Sequence, residues 1–103
     1  MPRELRPFHT LKGYELLEYR KITYAMEDYL EMLYRMYKQN KQVNITTLSN
    51  LLHIKKSSCS KMISKLKNLN YVYIDDNYII LTSKGKEIGS YLLYRHNILT
   101  KFL

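Results

Sequence analysis

The chain has 103 residues, of which 46% are hydrophobic, and its formal net charge is +8 at pH 7. These values predict one globular domain with a modest core and argue against a disordered chain. No apolar run is long enough to span a bilayer, and the N-terminus has no signal-peptide pattern. The lone Cys59 can form neither an internal disulfide nor a cysteine zinc cage. We therefore expect a cytoplasmic protein.

The chain divides into an N-terminal extension, residues 1–24, and a folded domain, residues 25–103. Pro2 and Pro7 interrupt the start of the extension, and its leucine and tyrosine residues between 11 and 19 could form a short helix or a packing arm. We therefore leave open which of the two the extension forms.

Two helices are predicted in the first half of the domain. Apolar residues recur at helical spacing from about Ala25 to Gln39 and predict the first helix. After a polar turn, Val43 and Ile45 could supply a short strand. Thr46 is the predicted N-cap of a second helix, Thr47–Leu52, which should bury Leu48, Leu51 and Leu52.

A third helix is predicted to begin near Lys56 to Ser58 and to end at Asn68 or Leu69. Its apolar residues lie on one inner face, namely Cys59, Met62, Ile63 and Leu66. Because a turn of only three or four residues separates it from the second helix, the pair matches a helix-turn-helix.

Two β-prone runs follow, Tyr71–Ile74 and Tyr78–Leu81, with the turn formers Asp75, Asp76 and Asn77 between them, so they predict a hairpin. Its acidic tip is poorly suited to gripping phosphate, and we do not expect a DNA-binding wing. Thr82 or Ser83 should cap a last helix, roughly Lys84 to Phe102. The predicted fold is mainly α with a small β-hairpin, a winged helix-turn-helix.

The positive charge is concentrated in the middle of the chain. From Met32 to Ile74 there is no acidic residue, whereas the stretch holds Arg35, Lys38, Lys41, Lys55, Lys56, Lys61, Lys65 and Lys67. A one-sided positive field is typical of a protein that binds a polyanion. Because the stretch has no exposed Trp or Phe anchors, nucleic acid is favoured over a membrane surface.

The third helix has the properties of a DNA-reading helix. Short polar side chains near its start would let it approach base edges and phosphates, and Ser57, Lys61 and Lys65 fall near one stripe opposite the apolar face. The other interpretation is an ordinary amphipathic surface helix.

Four segments carry a family resemblance: AMEDYLE (25–31), KSSCSKMISKL (56–66), LTSKGKEIG (81–89) and YRHNIL (94–99). With them, the chain resembles the N-terminal DNA-binding domain of the diphtheria toxin repressor and manganese transport regulator family of metal-dependent repressors. The resemblance implies operator contacts by the outward residues at the start of the third helix, and with the stripe above the predicted DNA-binding set is Lys55, Lys56, Ser57, Ser58, Ser60, Lys61 and Lys65. It also implies that the family's dimerisation domain is absent from this chain.

A partial metal site is the second candidate. Asp28 and Glu31 share a helix face, and His96 lies on the last helix, which can pack against the first. Two carboxylates and an imidazole suit Mn²⁺ or Fe²⁺, and the resemblance implies that these three positions are metal ligands. The alternative is two solvated acids favoured by the helix dipole and an ordinary histidine.

Together these features predict a transcriptional regulator that binds double-stranded DNA as a homodimer. Its dimer contacts would come from residues 11–19 or from Tyr91, Leu92 and Tyr94. Two alternatives stay open: a winged helix that binds another protein, and a DNA-binding regulator that needs no metal. An enzyme is not expected, because no nucleophile–base pair or glycine-rich phosphate loop can be assembled.

Overall fold

The computed structural model describes residues 22–101, with the backbone alone for 99–101. The order of elements is α1 (Tyr24–Lys38), α2 (Ile45–Leu52), α3 (Lys56–Asn68), β1 (Val72–Asp75), β2 (Tyr78–Leu81) and α4 (Ser83–Lys101). It confirms the predicted winged helix-turn-helix. Most of the N-terminal extension, residues 1–21, lies outside the described residues. In the part that the structure describes, no helix is long and apolar enough to cross a membrane.

Helix α1 is capped at its N-terminus by the side chain of Thr23. The Thr23 hydroxyl accepts a 3.2 Å hydrogen bond from the Met26 nitrogen, which is N-capping geometry. The inner face is buried at Met26, Tyr29, Leu30 and Leu33. The predicted bounds of this helix are confirmed to within one residue.

Helix α2 corrects two predictions. Asn44, not Thr46, is the N-cap, and its Oδ1 accepts a 2.8 Å hydrogen bond from the Thr47 nitrogen. The helix therefore starts at Ile45, and the short strand expected at Val43 and Ile45 does not form. The physical reason is that an asparagine at the N-cap satisfies an amide that a β-strand at this position would leave without a partner.

The buried face of α2 also differs from the expected one. Leu48 is fully buried as predicted, but Leu51 is 37% exposed and Leu52 is only half-buried. Ser49 is buried instead, and its hydroxyl donates a 2.9 Å hydrogen bond to the Thr46 carbonyl oxygen, which removes the cost of burying it.

Helix α3 has the predicted bounds and inner face. Cys59, Ile63 and Leu66 are buried, and Met62 is half-buried. The residue after α2, His53, takes the left-handed conformation and ends that helix, so the chain turns into α3 within three residues.

The hairpin closes with a tighter turn than expected. Val72 pairs with Leu81 and Asp75 pairs with Tyr78, so Asp75 belongs to the strand and the loop has two residues. These are Asp76 at φ 53° and Asn77 at φ 69°, and two successive positive φ values mark the type I′ turn that suits a twisted hairpin.

Helix α4 is attached at its start to the segment between α3 and β1. The Thr82 hydroxyl accepts a 3.0 Å hydrogen bond from the Gly85 nitrogen, which confirms Thr82 as the cap. The same hydroxyl lies 2.7 Å from the Asn70 carbonyl oxygen, to which it donates. A Cβ at Gly85 would overlap the carbonyl oxygen of Tyr71, so only glycine allows this close approach.

Farther along, α4 packs against α1. A Cβ placed at Gly89 would lie 2.7 Å from the Cβ of Tyr34, and Leu92 is buried with 1% of its surface exposed. The expected role of Leu92 in a dimer contact is therefore wrong, because its side chain fills the core of its own domain.

Left-handed residues follow α1, α2 and α3 and close the hairpin. The positive-φ residues in the described part of the chain are Asn40, His53, Asn70, Asp76 and Asn77. None of them is a glycine. All are Asn, Asp or His, which enter this region more readily than other residues with a Cβ.

Candidate nucleic-acid interface

The outer face of α3 presents every side chain predicted to contact DNA. All seven are exposed: Lys55, Lys56, Ser57, Ser58, Ser60, Lys61 and Lys65. The opposite face is anchored in the core by Cys59, Ile63 and Leu66. The helix is therefore fixed on one side and accessible on the other, which is the arrangement that a groove-binding helix requires.

The start of α3 differs from the starts of the other described helices. Helices α1, α2 and α4 each have a side-chain acceptor at the cap, namely Thr23, Asn44 and Thr82. Lys55 occupies the N-cap of α3, and no side chain caps the helix. The first-turn amides of α3 therefore point outward without an acceptor among the described side chains, which is a geometry that favours a phosphate oxygen. The sequence signal was a lysine where Ser, Thr, Asp or Asn usually stands.

Helices α1 and α4 carry paired charges, whereas the lysines of α3 have no acidic partner among the described residues. On α1, Arg35 pairs with Glu31 at 2.9 Å, and Arg95 of α4 pairs with Glu27 at 2.9 Å. Within the part of the chain that the structure describes, no carboxylate comes within 4.0 Å of a lysine of α3. The lysine charges of α3 are therefore not neutralised by a carboxylate of the described residues, and they add to the partial positive charge of the helix start.

A buried thiol ties α3 to α2. The Cys59 Sγ donates a 3.7 Å hydrogen bond to the Ile45 carbonyl oxygen, which joins the first turns of the two helices. Burial raises the pKa of this thiol above its ordinary value, so it stays protonated at neutral pH and keeps its donor. Cys59 is thus a packing residue that holds α3 at its angle to α2.

The hairpin has a different surface from α3. Asp75 and Asp76 are exposed at its tip, and Tyr73 and Ile74 on β1 are 48% and 42% exposed. This surface is acidic and apolar, and the expectation that the hairpin is not a DNA-binding wing stays a prediction.

The structure brings two of the three predicted metal ligands together. The Nδ1 atom of His96 lies 3.9 Å from Oε2 of Glu31, across the contact between α4 and α1. The same Glu31 oxygen accepts a hydrogen bond from Arg35 at 2.9 Å. Asp28 is exposed near the start of α1, and residues 22–101 contain no group of three or more His, Cys, Asp or Glu residues positioned to hold a metal ion.

Sequence reasoning missed the ion pair beside this site. The Nη2 atom of Arg95 donates a 2.9 Å hydrogen bond to Oε1 of Glu27, whose side chain is only 13% exposed. The two residues are 68 positions apart, so no local pattern could have paired them. Only the antiparallel packing of α4 on α1 places them side by side.

Comparison with known protein families gives a match over α1, the helix-turn-helix, β1 and the turn of the hairpin. Residues 21–77 match the model of the family described as the iron dependent repressor, N-terminal DNA binding domain. The transcriptional regulator MntR of Bacillus subtilis is 38% identical over 82 residues, which cover 79% of this chain and 58% of that protein. MntR of Bacillus velezensis gives the same values. The chain thus spans somewhat more than half the length of these relatives.

Solved structures of several bacterial regulators share the fold. MepR, which regulates the multidrug efflux pump MepA of Staphylococcus aureus, superposes with a TM-score of 0.67 at 19% identity, over 91% of this chain and 73% of MepR. The adhesin competence repressor AdcR of Streptococcus pyogenes gives a TM-score of 0.65 at 23% identity, over 92% of this chain and 74% of AdcR. At such low identity these similarities show the winged-helix fold alone.

Proposed function

Because the chain belongs to the iron-dependent repressor family, whose N-terminal DNA-binding domain it matches, we propose that it is a cytoplasmic transcriptional regulator that places α3 in the major groove of double-stranded DNA. The observation that carries this proposal is the start of α3, which is exposed, basic and uncapped. Its role is regulatory and not catalytic.

The proposed DNA contacts are of two kinds, lysines that contact phosphates and serines that contact bases. Lys55, Lys56, Lys61 and Lys65 would neutralise phosphates and supply most of the affinity. Ser57, Ser58 and Ser60 are short enough to let the helix approach the bases, and their hydroxyls can donate to or accept from base edges. Because serine pairs with several bases, we expect sequence selectivity to be modest per contact.

A homodimer would place two α3 helices on the two halves of a palindromic operator. Two predicted contacts on α4 remain: Tyr94, which is 61% exposed, and Tyr91, which is half-buried against the core. Residues 11–19 are the other candidate segment, and they lie outside the described residues.

We further propose that Mn²⁺ or Fe²⁺ binds at Asp28, Glu31 and His96. A carboxylate oxygen of Glu31 and an imidazole nitrogen of His96 already face each other, and both are donors that these ions accept. Asp28 is not grouped with these two residues in the structure, so its exposed side chain would have to turn toward them to add a carboxylate. A bound ion would add a further polar link between α1 and α4 to the ion pair of Glu27 with Arg95. If no ion binds, the protein would be a metal-independent regulator.

The test is a fluorescence-anisotropy titration of a labelled A/T-rich duplex at several salt concentrations, with and without manganese. We expect affinity to fall with salt at a log–log slope of roughly −0.9 for each phosphate contact. Tighter binding with manganese would support the metal site. Binding that does not depend on salt, or no binding, would overturn the DNA-binding proposal and favour a protein-interaction module.

A further inference from the structure

A groove lies on the domain away from the metal-site residues and the DNA-binding set. It is formed by the end of α1, the loop before α2, strand β2 and the start of α4, and its volume is about 270 Å³. Four residues of the hydrophobic core line it: Leu33, Val43, Ile79 and Leu81. None of the proposed DNA or metal contacts lines it, so neither proposed function accounts for it.

The polar lining of the groove is one-sided in charge. Lys41 and Lys86 line it, and no acidic residue does. The ammonium of Lys86 lies 4.5 Å from the ring centroid of Tyr37, which also lines the groove. This cation–π contact holds a positive charge beside the apolar lining.

We propose that this groove binds a small amphipathic anion, an aromatic or branched aliphatic carboxylate. Its hydrocarbon part would pack on Tyr37 and Ile80, the more exposed apolar side chains of the lining, above the buried Leu33, and its carboxylate would pair with the lysines. Because the volume lies just below the 300–1,000 Å³ typical of sites for drug-sized ligands, a molecule of about one ring fits the groove better than a larger ligand. The two lysines, with no acid among the lining residues, favour an anion over a neutral molecule of the same shape.

A backbone hydrogen bond joins the two sides of the groove, the strand β2 and the loop before α2. The Ile79 nitrogen donates a 2.8 Å hydrogen bond to the Val43 carbonyl oxygen, so two of the lining residues are joined to each other. Val43 is followed directly by Asn44, the cap of α2. A bound anion would therefore contact both the hairpin and the segment that leads into the helix-turn-helix.

The test uses benzoate as the probe and benzamide as its neutral match, each titrated into the ¹⁵N-labelled full chain at constant ionic strength. We expect saturable shifts of the backbone amide signals of residues 41–43, 79–81 and 86 with benzoate, and binding of benzamide that is weaker by about fivefold or more. Equal binding of the two probes, shifts located elsewhere, or no saturable shift with benzoate would overturn the proposal. Shifts of the same residues that follow protein concentration alone would assign the groove to a second copy of the chain.

Variants that remove one lysine at a time test whether the charges of the groove bind the carboxylate. Lys86→Gln and Lys41→Gln should each weaken benzoate binding roughly five- to tenfold, the loss expected from one charge-assisted contact at a partly exposed site. Lys67→Gln removes the same charge from an exposed position on α3 that does not line the groove, and it should bind benzoate as the unmodified chain does. An equal loss in all three variants would show a general charge effect and refute the site. Circular dichroism confirms that each variant is folded.

Discussion

The backbone nitrogen of Ile79 donates a 2.8 Å hydrogen bond to the carbonyl oxygen of Val43, so the hairpin is tied to the segment that enters α2. Both side chains are buried, which shields this bond from water and strengthens it. The hairpin therefore helps to fix the position of the helix-turn-helix, and its structural role does not depend on any contact with DNA.

Asn44→Ala should lower the free energy of unfolding by about 1 kcal/mol, because the mutation removes the acceptor of the Thr47 amide. Urea denaturation of the purified chain measures this loss. Thr46→Ala is the control: Thr46 is exposed at the second position of α2, and its side chain should contribute less than about 0.5 kcal/mol. A larger loss for Thr46→Ala than for Asn44→Ala would contradict the assignment of the cap.

Gly85→Ala should destabilise the fold although alanine is the better helix former. The added methyl group would overlap the Tyr71 carbonyl oxygen and lie 2.9 Å from Leu81 Cδ2. Overpacking of this kind costs about 1–3 kcal/mol, against a propensity gain of about 1 kcal/mol. Thermal unfolding should show a lower Tm, whereas Ser90→Ala at an exposed position of α4 should leave Tm unchanged or slightly higher. A rise in Tm for Gly85→Ala would be inconsistent with the close contact.

Lys61→Gln and Lys65→Gln should each weaken DNA binding and reduce the magnitude of its log–log salt slope by about one. The reason is that each lysine is proposed to neutralise one phosphate. Lys86→Gln, which changes the same charge on α4, should keep the slope. If Lys86→Gln changes the slope as much as the α3 variants do, the α3 face is not the DNA contact.

Glu31→Gln should weaken Mn²⁺ binding at least about tenfold, because the amide oxygen is a poorer ligand and carries no charge. Isothermal titration calorimetry with Mn²⁺ alone measures this effect without DNA. The matched control is Glu87→Gln, an exposed acid on α4. Unchanged binding in Glu31→Gln would refute the site, and no binding to the unmodified chain would identify a metal-independent regulator.

Stability should fall in alkaline solution through two buried groups. Burial raises the pKa of the Tyr29 hydroxyl and of the Cys59 thiol, and a charge on Cys59 raises that of Tyr29 further. Above roughly pH 8.5 to 10, the ordinary values of these groups, the unfolded chain releases protons that the folded chain retains. The unfolding free energy is therefore complete below this range and decreases as pH rises through it.

Urea denaturation across this pH range tests the effect. Tyr29→Phe should reduce the alkaline loss of stability, because phenylalanine has no proton to release. Tyr73→Phe at an exposed position of β1 should leave the loss unchanged. Equal pH profiles for both variants and the unmodified chain would show that Tyr29 does not contribute.

The parts of the fold that the sequence predicted are those with a local physical cause. The apolar spacing of α1 and α3, the turn residues before Tyr78 and the hydroxyl of Thr82 each act within a few positions. The start of α2 was misplaced because Asn44 and Thr46 are both good N-caps, and only the three-dimensional packing decides between them.

For the candidate sites, exposure could be predicted but contact between distant residues could not. The seven polar residues of the predicted DNA-binding set lie outside because the apolar residues of α3 determine which face is buried. The approach of His96 to Glu31, and the pairing of Arg95 with Glu27, depend on the packing of α4 on α1. That packing depends on Gly89, where a Cβ would lie 2.7 Å from the Cβ of Tyr34. The sequence shows a glycine within a helix at this position, but it does not show which helix packs against it.

The left-handed turn residues also bear on how this domain could be made heat-resistant. Glycine adopts positive φ without the steric cost that a Cβ imposes, yet five such positions in the described chain hold Asn, Asp or His. The imidazole of His53 is the bulkiest of these side chains. Directed evolution for thermal tolerance should therefore find gains by placing glycine at these turn positions.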